Sequence, residues 1–146
     1  MAEELNQMAM QLRYFEEQAQ ALEQQIQQFQ MIVGNMEATL MTLGNLKEAK
    51  PNQEIMIKVG NSSYIKAKIS EPDKVVIGVG LGFGTDVYVE KPIEDARETI
   101  NIRIDEVKKA QNSVRQNLDQ IAQQINKIKP EFERRYALFQ QNLSQR

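Results

Sequence analysis

The chain has 146 residues, with 18 Lys and Arg against 20 Asp and Glu, a formal net charge of -2, and neither Cys nor His. This balance supplies no basic field for nonspecific nucleic-acid binding, so no nucleic-acid partner is expected. The missing Cys and His exclude disulfide frameworks, thiolate nucleophiles, imidazole bases and the usual zinc ligand sets.

The first predicted element is a long helix over 3–48. Its apolar residues alternate three and four apart: Leu5, Met8, Leu12, Phe15, Ala19, Leu22, Ile26, Phe29, Val33, Met36, Leu40 and Leu43. A 3.5-residue period of this length is a coiled-coil seam, and a helix bearing one must find a partner. The remaining positions are rich in Gln, Glu, Ala and Met, which favour helix. Gly34 weakens the pattern, either through local tolerance or because another helix approaches closely there. Lys50-Pro51-Asn52 ends the helix.

The period then falls to two. Ile55, Ile57 and Val59 alternate with Met56 and Lys58, and Ile65, Ala67 and Ile69 alternate with Lys66 and Lys68, with Gly60-Asn61-Ser62-Ser63 between them. This predicts a β-hairpin. A second hairpin follows Glu71-Pro72-Asp73, with Val75, Ile77 and Val79 facing Val87 and Val89. Glycines at 78, 80, 82 and 84 raise the question of a phosphate loop. The dinucleotide fingerprint fails, because its third glycine is absent and a strand rather than a helix follows. The P-loop Gly-Lys-Ser/Thr is absent too. Four short strands over 53–91 bury little by themselves, and their open edges favour pairing with another chain.

A second long helix is expected over 92–144. Its seam runs Ile93, Ile100, Ile104, Val107, Val114, Leu118, Ile121, Ile125, Ile128 and Phe132, with Arg97 and Gln111 as polar members. It then slips a register to Tyr136, Phe139 and Leu143. The slip lies beside Pro130, which either kinks the helix or starts a new segment whose first turn holds Glu131 and Glu133.

Two seamed helices around a strand module predict an α+β fold, a single domain over 1–146. The helices would form a long antiparallel two-helix coiled coil, with the two consecutive hairpins at its base. At about 1.5 Å per residue the first helix would reach roughly 65 Å, placing Leu46 near Asp95 and Leu5 near Tyr136. Leu138, Phe139 and Leu143 would then overhang at a loosely packed tip able to bind apolar partners. No apolar run approaches the roughly 18 residues of a membrane span and the first residues are polar, so no membrane partner is expected and the chain reads as cytoplasmic.

The order helix, two hairpins, helix resembles alpha-class subunits of prefoldin, over nearly the whole chain. The most specific stretches are Tyr64-Ile65-Lys66-Ala67-Lys68-Ile69, Asp73-Lys74-Val75-Val76-Ile77-Gly78-Val79-Gly80, and Val87-Tyr88-Val89-Glu90-Lys91 with Glu94-Asp95-Ala96. The resemblance implies a chaperone rather than an enzyme, with no cofactor and no metal. It would be an ATP-independent holdase, joined to beta-class subunits as two alpha and four beta through an intersubunit β-barrel. Non-native polypeptide clients would be held at the coiled-coil tips and passed to a group II chaperonin.

On this reading Ile55, Ile57, Ile65, Ile69, Val75, Ile77, Val79, Val87 and Val89 form the oligomer interface. Met10, Leu138, Phe139 and Leu143 are the leading client-binding candidates, because Met10 lies off the seam and the others past the partner helix. Met8 and Leu5 are also candidates, although they fit the seam. Glu16, Glu17, Arg134 and Arg135 could pair across the helices or contact the chaperonin. The sequence departs from the family pattern in its first strand, Glu54-Ile55-Met56-Ile57-Lys58-Val59-Gly60, and in the long 81–86 loop. Those departures imply the alternative, a structural or filament-forming prefoldin-like subunit.

Overall fold

The computed structural model describes residues 2–78 and 87–144; Val79 and the glycine-rich 80–86 segment lie outside them. The chain order is α1 (Ala2–Leu46), β1 (Gln53–Gly60), β2 (Ser63–Ile69), β3 (Lys74–Gly78), β4 (Tyr88–Pro92) and α2 (Ile93–Ser144). Two compact units result. One joins Met1–Ile32 to Val107–Arg146, and the other is Val33–Glu106.

In α1 every seam residue is buried or half-buried, and the off-seam Met10, Tyr14, Met31 and Met41 are exposed. The period of the sequence therefore marks the packed stripe directly. In the first unit α1 and α2 run antiparallel, since Glu4 meets Arg135 at 3.8 Å while Gln111 meets Ile26. Gln111 is the one buried polar residue among those described, and its Nε2 donates to the Ile26 carbonyl at 3.4 Å. A buried amide inside an apolar seam favours the register that gives it a partner.

The second unit holds both hairpins with the end of α1 and the start of α2. Lys47, one residue past α1, pairs with Glu94 in the first turn of α2, so the end of α1 meets the start of α2. Here α2 buries Ile93, Ala96, Ile100 and Ile104, a narrow stripe at steps of three and four. Two hydrogen bonds tie α2 to β3 and to the turn before it. Arg103 of α2 donates to the Gly78 carbonyl at the end of β3 at 2.6 Å, and the Ile93 N–H donates to the Asp73 carbonyl at 2.9 Å. The second bond satisfies one of the N–H groups that every helix start leaves open.

Each hairpin is a separate two-stranded antiparallel sheet. In the first, Ile55 pairs with Ala67 and Ile57 with Ile65, so they share one face; Met56 opposite Lys66 and Lys58 opposite Tyr64 share the other. The reversal uses Asn61 and Ser62, with Ser62 in the left-handed region at φ 57°, while Gly60 is the last residue of β1 beside a register shift. In the second, Ile77 pairs with Val89 and Val75 with Lys91. The turn into β1 has Pro51 at its second position and Asn52, at φ 62°, at its third, closed by the Gln53 N–H to the Lys50 carbonyl at 3.1 Å. Proline and a positive-φ asparagine are the residues such a turn selects.

Helix α2 continues through Pro130. The ring removes one N–H and leaves the Asn126 carbonyl without its helical donor, at a cost of about 3 kcal/mol. The flanking seam residues Ile128 and Phe132 are both half-buried, so packing offsets that cost locally. Gly34 shows no close helix approach, because a Cβ there meets nothing within 4 Å among the described residues. Gly34→Ala is therefore expected to stabilise the chain by about 1 kcal/mol, seen as a higher thermal midpoint with unchanged helicity. A lower midpoint would mean that another chain packs against this glycine.

Candidate functional site

Two apolar surfaces stand out, one in each unit.

In the first unit, α1 presents Ala2, Leu5, Asn6 and Ala9 at helical spacing, and α2 presents Phe132, Tyr136 and Phe139 at steps of four and three. Together with Glu3 these residues line an open cleft of about 570 Å³. Its origin is a size mismatch. Two alanines cannot fill the space opposite aromatic rings, and the slip after Phe132 prevents regular knobs-into-holes packing. Phe132 and Tyr136 stack with centroids 5.8 Å apart, giving the α2 side a continuous aromatic wall.

Of the client-binding candidates, Leu5 is buried in this cleft's floor, Phe139 is half-buried along its wall and Met8 is half-buried in the seam. Met10, Leu138 and Leu143 project at 60%, 52% and 59% exposure. Ala2, Asn6 and Ala9 were not among the expected residues. Their spacing opposite the aromatic stripe was present in the sequence, but small side chains carry little hydrophobic signal.

The charges around the cleft are mostly committed. Arg135 donates to Glu131 at 2.7 Å and reaches Glu4 across the helices at 3.8 Å, while Arg134 donates to Glu131 at 3.0 Å. The Arg135 and then the Arg134 hydrogen bond hold the Glu131 carboxyl below the ordinary glutamate value of 4.5, and Glu131 raises Arg135 in turn. In the other unit Glu94 is lowered likewise, chiefly by its hydrogen bond to Lys47. Glu17 pairs along its own helix with Arg13 at 2.9 Å.

A carboxylate with a depressed folded pKa contributes stability that is complete above the unfolded value and fades as pH falls through the folded one. Glu131→Gln is accordingly expected to flatten part of the acid loss of thermal stability below about pH 5, followed by helical circular dichroism. Parallel acid profiles for the two proteins would exclude the Glu131 cluster as a contributor.

In the second unit the hairpins carry the other surface. Ile55, Ile69, Val75, Ile77 and Val89 are half-buried, while Ile57, Ile65 and Val87 are 43%, 51% and 59% exposed. Val79 lies outside the described residues. Ile57 and Ile65 are direct cross-strand partners, so two β-branched side chains stand together in solvent. Among the described residues no cluster could hold a metal ion, and no helix is long and apolar enough to cross a membrane.

Comparison with known proteins places these surfaces in a family context. The protein-family model for the prefoldin subunit matches residues 15–138. Prefoldin subunit alpha of Methanosarcina mazei is 32% identical over 133 residues, covering 89% of this chain and 91% of its own length. Prefoldin subunit alpha of Methanococcoides burtonii is 32% identical over 121 residues, covering 83% and 85%. A chain of the cryo-EM structure of filamentous PFD from Methanocaldococcus jannaschii superposes with a TM-score of 0.72 over 82% of this chain and 96% of that one. At 22% identity it bears on the fold alone, two long helices with two antiparallel hairpins.

Proposed function

The chain belongs to the prefoldin family of chaperone subunits, and from that membership we propose that it is an ATP-independent holdase, working as one domain over 1–146, that captures non-native polypeptides where the start of α1 meets the end of α2. The observation that carries the reading is the aromatic cleft of Leu5, Phe132, Tyr136 and Phe139, bordered by the exposed Leu138 and Leu143. A non-native client exposes scattered apolar groups, and such a cleft accepts them without demanding one shape. Each contact is weak. Several copies held in one assembly add through effective concentration, so capture and release need no nucleotide.

The exposed Ile57–Ile65 pair and the half-buried Ile55, Ile69, Val75, Ile77 and Val89 support assembly through the hairpins, with the exposed Val87 and, by its alternation in the sequence alone, Val79 as further members of the proposed interface. The partners would be beta-class subunits completing a β-barrel, two alpha with four beta, and a group II chaperonin would receive the client in the cytoplasm. A second reading is open self-assembly into filaments. It is favoured by two hairpins that each form a separate two-stranded sheet, and one solved structure of similar fold is described as filamentous.

Light scattering of a chemically denatured client diluted into the purified assembly tests the function. Aggregation should be suppressed near stoichiometric ratios, equally with and without ATP. Full aggregation at excess chaperone would overturn the reading. Native mass spectrometry separates the two assemblies, a closed complex of fixed mass from an open series.

A further inference from the structure

We propose that the cleft selects clients by charge as well as by apolarity, taking apolar segments flanked by Lys or Arg in preference to the same segments flanked by Asp or Glu. This rests on the client-capture reading and goes beyond it by naming the class of segment. Among the described residues Glu3 is the only charged side chain lining the cleft, and no hydrogen bond or ion pair engages it. Its polar neighbours in the lining are the neutral Asn6 and Tyr136.

Among the described residues, the arginines at this end cannot neutralise Glu3 without giving up existing bonds. Arg135 is held by Glu131 and Glu4, Arg134 by Glu131, and Arg13 by Glu17. Lys127 and Lys129 precede Pro130, and neither lines the cleft. An apolar cleft with one uncommitted carboxylate at its rim attracts a cation adjoining the apolar group and repels an anion there. A single exposed pair is worth about 0.2–1 kcal/mol, so one cleft should discriminate by up to about fivefold, and an assembly presenting several cleft copies by more.

The test uses the full-length protein in its purified assembly and three fluorescent peptides sharing one Leu- and Phe-containing core, flanked by Lys, Gln or Glu. Fluorescence anisotropy at low salt should rank them Lys above Gln above Glu, with the Lys-flanked peptide bound two- to fivefold tighter than the neutral one. Glu3→Gln should remove the ranking and Glu3→Lys should invert it, both at an unchanged assembly mass. Raising salt should collapse the ranking in the unmodified protein. Equal binding of all three peptides would overturn the charge selection while leaving capture intact. Absence of binding by every peptide would overturn the capture reading itself. A ranking that survives Glu3→Gln would also overturn the proposal, because the selection would then reside on another group.

Discussion

Replacing Ile57 with Lys and Ile65 with Glu is expected to break the assembly while leaving the chain folded. The two residues are direct partners across β1 and β2, so the new charges face each other and can pair, which preserves the hairpin. Against a partner chain the same change is severe. Burying an isoleucine fully stabilises by about 1.5–3 kcal/mol, and that gain would be replaced by the desolvation of two ions, several kcal/mol each. Since both are already 43% and 51% exposed in the single chain, the intrachain loss is modest. Native mass spectrometry should show the high-mass complex replaced by free subunits, with circular dichroism unchanged. Met56→Glu, on the opposite face of the same hairpin, is the control and should leave the mass as it was. If Ile57→Lys with Ile65→Glu also leaves it unchanged, this face is not the assembly surface.

The helices were legible because their packing is one-dimensional. A seam at a 3.5-residue period reports its own burial, and all twelve α1 residues read from the period are buried or half-buried, from Leu5 at one end to Leu43 at the other. The antiparallel offset that places Leu5 near Tyr136 was equally legible, since chain reversal through two short hairpins fixes it. Both residues line the cleft. What local pattern cannot report is a bond between elements distant in sequence. Arg103 reads as an ordinary polar position on α2, yet it holds the Gly78 carbonyl 25 residues earlier. Ala96 is fully covered, three residues after Ile93 and four before Ile100, a seam position whose small side chain carries little hydrophobic signal.

The first hairpin reverses within the Gly60-Asn61-Ser62-Ser63 stretch read from the sequence. Which of its residues takes the positive φ was not legible there: Ser62 adopts that conformation and Gly60 stays in the strand. The cleft was half legible. Its aromatic wall follows from the stutter at Phe132, Tyr136 and Phe139, but its volume comes from Ala2 and Ala9, and the absence of bulk leaves no mark in a hydrophobic pattern.

The strongest expected functional effect is at that wall. Changing Leu138, Phe139 and Leu143 together to Ser should abolish suppression of client aggregation while leaving the assembly mass unchanged. Leu138 and Leu143 are more than half exposed, so their loss removes contact surface rather than core, and each Leu→Ser costs only a few tenths of a kcal/mol in helix propensity. Phe139 is half-buried along the cleft and its loss opens the wall directly. If the three changes weaken one client contact by about 1.4 kcal/mol, each copy loses about tenfold, and an assembly that engages a client through several copies loses the product of those factors. Scattering from a denatured client should then rise to the level seen without chaperone. Tyr14→Ser, an exposed aromatic on α1 outside the cleft, controls for general loss of apolar surface and should retain suppression. Full suppression by the triple variant would place client capture elsewhere on the chain.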